Sequence, residues 1–389
     1  MVETKTENNF ILEFDENQLA IKETIRNFAE EKIKPRVMEF DESQVFPIDL
    51  MQQLGQLGFL GILVPEIFGG SELGYVEYAL IVEELARIDP SIALSVAAHN
   101  GLCTNHINVF ANDELKSKYL PDLASGRKIG AWGLTEPGSG SDAAAMQTTA
   151  MKDGDLYILN GTKAFITHGG VGETAVVLAV TDKTKSKKGI SAFIVEKGTQ
   201  GFSTGKKENK LGMRSSETTQ LIFENCRVPA ENLIGNEGEG FTQAMKILEG
   251  GRISIAALSV GLAQGCLEAS LAYSKERKQF GKSISEFQAI QFKFADLATD
   301  IEAARLMTFK AAKMKDQKKN ILDIAAKAKL FASEVATRAA NEAVQIFGGY
   351  GFTKDYPVEK FYRDVKLLTI GEGTSEVQRI VIARSLLQD

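Results

Sequence analysis

After Gly240 three long segments follow one another with apolar residues at helical spacing: GFTQAMKILEGGRISIAALSVGLAQGCLEASLAYSKER, FQAIQFKFADLATDIEAARLMTFKAAKM and ILDIAAKAKLFASEVATRAANEAVQIF. Helical patterns beyond about 25 residues cannot stand alone in water, and their alanine-rich faces must be covered by other helices. This feature constrains the chain most. It predicts a helical bundle, a class that often buries further faces by oligomerising.

The rest of the chain differs in texture. Residues 15 to about 128 read as helical. DENQLAIKETIRNFAEEKIKPRV has helical spacing, with Pro35 marking its end, and Asp89 and Pro90 read as cap and first residue of another helix. From about 129 the runs DLYILNGTKAFIT, TAVVLAVT, GISAFIVE and TTQLIFENCRVP are short, β-rich and split by Gly, Asn, Asp and Lys. The expected class is α+β, with a helical domain over 1–128, a β domain over 129–238 and a helical domain over 239–389. No repeat or low-complexity tract interrupts it.

Composition excludes several functions. With 389 residues, 44% hydrophobic and 25% charged, the chain reads as an ordinary globular protein. A formal net charge of -6 argues against a nucleic-acid surface. No apolar run is expected to reach the roughly 18 residues of a membrane span. The start, MVETKTENNFILEFDENQ, is polar and acidic, without a signal or transit pattern. Cys103, Cys226 and Cys266 are scattered, so free thiols in a reducing, cytoplasmic setting are expected.

The candidate motifs are individually ambiguous. PGSGSDA (137–143) contains G-x-G-x-x-A but lacks the preceding strand and following long helix of a dinucleotide fold. A loop offering backbone N–H groups with the Thr135 and Ser141 hydroxyls to a cofactor, or a plain surface turn, fits better. His99, His106 and His168 have no metal or triad spacing and read as structural. No metal site is expected. KTKSKKG (183–189) is a solvated turn or a phosphate-attracting patch. RKQFGK (277–282) complements a helix dipole or serves a pyrophosphate. FGGYGF (347–352) is a helix cap with a turn, or a close backbone approach to a flat ligand.

TIGEGTSEVQR (369–379) holds Glu372 between two glycines, ahead of a helix start at which Ser375 and Gln378 have capping-box form and VQRIVIARSLL is amphipathic. Glycine on both sides of a carboxylate leaves room for something to come close to it.

In succession, LTEPGSGSD, NGTKAFITHGG, ERKQFGKSISEFQAIQ, QIFGGYGF, YRDVKLLTI and GEGTSEVQR resemble the FAD-dependent acyl-CoA dehydrogenases over nearly the whole chain. The resemblance implies a middle β-barrel or sandwich between helical domains, the last a four-helix bundle. It implies that Glu372 takes the α-proton of an acyl-CoA while the β-hydride passes to FAD, giving a trans-2-enoyl-CoA. In such a pocket the carboxyl pKa should rise towards neutrality. Some relatives place the base on a helix, just before the arginine of the segment matching LEGGR. Here that position is Gly251, so Glu372 stands alone.

The remaining roles follow by the same resemblance. Leu134, Thr135 and Ser141 would meet the isoalloxazine, with Ser141 also near the CoA arm. Phe165, Ile166 and Thr167 would close its other side, Phe165 standing where many relatives have tryptophan. Arg277, Gln288, Gln345 and Gly349 would hold the pyrophosphate and adenosine, partly of a neighbouring subunit's flavin. Thr374 and Glu376 would lie at the diphosphate. Glu249 and Arg252 would meet CoA, Glu249 standing where relatives often carry aspartate, and Gly373 would let substrate cross the backbone. Gly371 replaces a common tyrosine, which implies a short- or branched-chain acyl group. Electron-transferring flavoprotein as acceptor, a homotetramer and a place in fatty-acid β-oxidation are also implied. The rivals are an acyl-CoA oxidase and a non-catalytic, DNA-binding paralogue on the same scaffold.

Overall fold

The structure, a computed structural model, describes residues 12–387. The acidic stretch read above therefore lies outside the described residues up to residue 11.

The N-terminal part is helical. Asp15 and Gln18 form a capping box that opens α1 (Glu16–Phe28). The regular helix loosens into a π-turn over Ala29–Ile33, and a tight turn over Lys34–Arg36 carries Pro35. Helix then resumes as α2 (Val37–Ser43), so the proline marks a break and not the end. After α3 (Ile48–Gln56) comes α4 (Tyr75–Ile88), buried along most of its length. Asp89 accepts from Ser91 N and Pro90 opens α5 (Pro90–Ala98), as the sequence predicts. Two more helices, α6 (Asn105–Phe110) and α7 (Asp113–Ala124), lead to the sheet.

The middle part has eight strands: β1 (Gly130–Gly133), β2 (Thr149–Asp153), β3 (Leu156–Thr167), β4 (Thr174–Val180), β5 (Ile190–Glu196), β6 (Phe202–Thr204), β7 (Thr218–Pro229) and β8 (Leu233–Ile234). They pair in the order β6-β7-β3-β2-β4-β5-β8, with β1 added parallel to β4. Strand β4 is buried on both faces. Ala175, Val177 and Ala179 join a core with Phe193 and Phe223 inside the curled sheet, while Val176, Leu178 and Val180 pack with Leu120 and Leu123 of α7. Period-two alternation thus serves two cores at once, which explains an apolar run without polar breaks.

The C-terminal part is built on α8 (Gly240–Glu276), joined through a small hairpin of β9 (Lys278–Gln279) and β10 (Lys282–Ser283) to α9 (Gln288–Asp316). Then come α10 (Leu322–Phe347), α11 (Val358–Asp364) and α12 (Ser375–Leu387). Helices α8, α9 and α10 pack on one another, α12 lies on α10, and α4 lies along α8. A Cβ at Gly261 would stand 2.8 Å from the Ala86 Cβ, so glycine on α8 sets how closely α4 approaches. One expectation is corrected here. By length and composition alone α8 is apolar enough to cross a membrane, but 72% of its most apolar window is buried inside the protein. It is the central core helix of the bundle.

Candidate active site

Glu372 lies between α11 and α12 with φ 53°, in the left-handed region that only glycine adopts freely, and Gly373 follows at φ 95°. Two consecutive left-handed residues turn the Glu372 side chain back onto α8. Its carboxylate rests on Gly251, where a Cβ would come 2.8 Å from the Glu372 Cδ. The helix position that carries the base in some relatives thus points at the spot that Glu372 occupies, and only one of the two can hold a side chain.

The surroundings of this carboxylate are charged. The residue as a whole is half-buried, but Oε2 is buried and, among the described residues, accepts no hydrogen bond. Burial pushes the Glu372 pKa up to about 7, opposed by the positive charges of Lys329 and Arg252. Arg252 is buried, with Nε and Nη1 unpartnered, and Glu249 sits one turn before it on α8, 4.0 Å from Lys315 Nζ. Lys329 Nζ donates to Gly373 O at 2.6 Å, and Gln378 Nε2 donates to the same oxygen at 2.9 Å. From α4, the Tyr75 hydroxyl accepts from Asn105 Nδ2 at 3.1 Å, and the Tyr75 ring meets Tyr78 edge-on.

The start of α12 differs from the sequence reading. Thr374 Oγ1, and not Ser375, accepts from Val377 N at 3.3 Å, while Ser375 Oγ is buried without a partner. Gln378 turns back to Gly373 O, so the S-x-x-Q box does not form. Helix α12 buries only Ser375 and Gln378 within this chain and leaves Ile380, Leu386 and Leu387 exposed.

A second group of residues forms a flat cradle on the β domain. A bulge in β3 between Lys163 and Ile166 throws Phe165 outward at φ 58°, leaving it 68% exposed. Ala164 N donates to Thr135 O at 2.8 Å, which places the 134–141 loop beside the 165–167 segment. Beneath them the wholly buried Lys163 donates to Leu134 O at 3.2 Å and to Glu136 Oε1 at 2.7 Å. Glu136 in turn accepts from Gln147 N and Thr148 N, closing the loop into a ring. Leu134 and Ile166 are buried, Thr135 and Thr167 half-buried and Ser141 exposed. A Cβ on Gly138 or Gly140 would meet nothing within 4 Å, so this loop stays open on its outer side.

A third group lies at the far end of the bundle. Arg277, at the C-terminal end of α8, stacks over Tyr350 at 5.6 Å. With Phe347, Gly348 and Gly349 they line a cavity of about 440 Å³. Gln345 is exposed at the end of α10, and Gln288 is exposed as the first residue of α9. Lys329 and Gln345 lie on one helix, roughly 24 Å apart at 1.5 Å per residue. This cavity and the Glu372 turn are therefore separate places on one chain. Thr374 is half-buried and Glu376 exposed at the start of α12.

Sequence reasoning missed Lys329, Lys163 and Glu136. A signal was available for Lys329. It stands on the stripe of Ala325, Ala328, Ala332 and Ala336, where a lysine breaks an otherwise apolar face. The three histidines are structural. Trp132 Nε1 donates to His106 Nδ1, Gly130 N donates to His99 Nδ1, and His168 Nδ1 pairs with Gly130 O. Burial depresses their pKa values to about 4 for His99 and His106 and about 3 for His168.

A desolvated carboxylate oxygen beside two buried cations has the parts to remove a proton from a weak carbon acid, and the exposed aromatic cradle on the β domain is suited to a flat cofactor. The chain matches the family models of the acyl-CoA dehydrogenase N-terminal domain over 15–127, middle domain over 131–226 and C-terminal domain over 238–387. It is 48% identical to the short-chain specific acyl-CoA dehydrogenase of Clostridium acetobutylicum, covering 95% of this chain and 98% of that one. It superposes with a TM-score of 0.96 on butyryl-CoA dehydrogenase from Megasphaera elsdenii, at 45% identity over 97% of this chain and all of the other. A chain solved in work on the electron transferring flavoprotein of Acidaminococcus fermentans also gives 0.96, at 50% identity over 98% of this chain and all of that one.

The protein belongs to the acyl-CoA dehydrogenase family, whose cofactor is FAD. Its residues fit that cofactor. The outward Phe165 ring can stack on a flavin, and the open glycine loop admits a ring system.

Proposed function

We propose that the protein catalyses α,β-dehydrogenation of a short- or branched-chain acyl-CoA to a trans-2-enoyl-CoA, with Glu372 as the base. The observation that carries this reading is the Glu372 carboxylate itself, seated on Gly251 with its Oε2 buried and, among the described residues, unbonded. FAD, when bound, supplies the acceptor for the β-hydride. Leu134, Thr135, Ser141 and Phe165 to Thr167 hold the flavin ring, while Thr374 and Glu376 flank its diphosphate. Glu249, Arg252 and Ser141 meet the CoA side, and Gly373 leaves the backbone open to the thioester. Arg277, Gln288, Gln345 and Gly349 hold the pyrophosphate and adenosine, partly of a neighbouring subunit's flavin, and a cavity far from Glu372 along α10 supports this.

General-base assistance contributes about 10²–10⁴-fold, so Glu372→Gln should bleach its flavin at least roughly a hundredfold more slowly on mixing with butyryl-CoA. A normal rate would remove Glu372 from the chemistry. The short-chain preference is supported by Gly371. The atoms nearest to a Cβ there belong to Leu367, at 3.5–3.6 Å, which is ordinary contact, so packing does not require glycine and its place adds room. Butyryl-, isobutyryl- and isovaleryl-CoA should be turned over faster than octanoyl-CoA. The reverse order would overturn this assignment.

We also propose electron-transferring flavoprotein as acceptor, a homotetramer, a cytoplasmic location and a role in β-oxidation. All three cysteines are free and buried, as in a reducing compartment. Slow reoxidation of the reduced enzyme by air would separate it from an oxidase. Domain boundaries near 128 and 238 fall in the connections between α7 and β1 and between β8 and α8.

A further inference from the structure

Lys329 is wholly buried on α10, where an unpaired lysine is costly. Among the described residues its ammonium has one hydrogen-bond acceptor, the carbonyl of Gly373 at 2.6 Å. Capping that turn does not require a charge, because Gln378 Nε2 already donates to the same oxygen. What the lysine adds is a cation next to the residue that follows Glu372. A direct ion pair would occupy the carboxylate lone pair that has to receive a proton. The hydrogen bond to Gly373 holds the ammonium back, and Glu372 Oε2 stays unpartnered.

We propose that Lys329 is a positioning residue for the Glu372 base: anchored on Gly373 O, it locks the left-handed turn and holds a positive charge beside the carboxylate without occupying its lone pairs. This rests on the reading of Glu372 as the base. The charged and titratable groups facing the pair are Arg252 from α8, Tyr78 from α4 and Glu376 from α12, and behind Arg252 and Tyr78 stand Glu249 from α8, Tyr75 from α4 and Lys315 from α9. Of these, Lys329 and Arg252 favour the ionised carboxylate, Lys329 the more strongly, while burial opposes it. Removing the Lys329 charge leaves burial less opposed, so the base should ionise at higher pH. Burial also depresses Lys329 itself to about 8, so the contrast with wild type should narrow above that pH.

The test is single-turnover flavin bleaching by butyryl-CoA, followed from pH 6 to 10, in FAD-loaded wild type, Lys329→Met, Lys329→Gln, Lys329→Arg and Glu372→Gln. The Met and Gln variants should shift the midpoint of the rate upwards by about one unit, roughly a fivefold loss at pH 7 that shrinks towards pH 9. Arginine should restore much of it. Glutamine keeps a donor for Gly373 O without charge, so it reads the electrostatic part even if methionine prevents folding. An unmoved midpoint in folded, yellow Lys329→Gln, with only a lower melting temperature, would reduce Lys329 to a structural prop and leave Glu372 as base. Normal bleaching by Glu372→Gln would instead remove the base reading, and this inference with it.

Discussion

Glu372 is held against two penalties, a left-handed backbone worth about 1–3 kcal/mol and a carboxylate kept from water. Its folded pKa, about 7, lies above the unfolded value of 4.5. Between those values the unfolded chain has lost the proton and the folded one keeps it, so stability falls as pH rises through this window. The full penalty, about 3 kcal/mol, is present above pH 7 and absent below 4.5. Glu372→Gln should therefore melt higher than wild type at pH 8, and the two should converge near pH 4.5. A constant offset across that range would show that burial of the charge is not the cause. Gly251 tests position instead of charge. Alanine there would push the carboxylate aside, and a shift of about 1 Å should slow bleaching roughly a hundredfold while the flavin stays bound. An unchanged bleaching rate would mean that the carboxylate moves freely.

At the scale of elements, the proposed flavin cradle depends on a strand and a loop bolted together by a buried ion pair. Lys163 and Glu136 are 0% and 5% exposed at the side chain, and between them they hold Leu134 O, Gln147 N and Thr148 N. Replacing Lys163 by methionine leaves Glu136 buried with its countercharge gone, which typically costs about 3–5 kcal/mol. The variant should lose FAD, read from the 450 nm absorbance, before it loses helical circular dichroism. Retention of full flavin content would show that the loop holds its shape unaided. Strands here were legible in sequence because alternation and turn residues act locally, as in β3 and β7. The start of α12 was not. Thr374 and Ser375 are both competent caps, and the choice fell to Thr374 once Lys329 and Gln378 had fixed Gly373 O.

Over the whole molecule, the helical ends are tied by charge. Lys360 is buried between Asp89 at 2.8 Å and Asp364 at 2.5 Å, and Asp364 accepts from Met213 N, so α5, α11 and the β6–β7 connection meet at one point. Outside this core the C-terminal part exposes Phe280 at 94%, Phe352 at 90% and Leu387 at 83%. An interface between copies would cover these apolar side chains. Light scattering should find four chains, and Phe280→Asp should give smaller species that have also lost FAD, because Arg277 lies three residues away. Smaller species with full flavin content would mean that each chain completes its own cofactor site.

The sequence by itself determined the helix–strand–helix order, the long bundle helices, the Asp89 and Pro90 helix start and the isolation of Glu372 between glycines. These depend on local periodicity, capping and backbone freedom, which neighbouring residues fix together. Tertiary structure alone decided that α8 is a core helix, that Gly251 and Glu372 compete for one place, and that Lys329 reaches Gly373 O. Each of these joins residues distant in the chain, and their meeting depends on how whole helices pack.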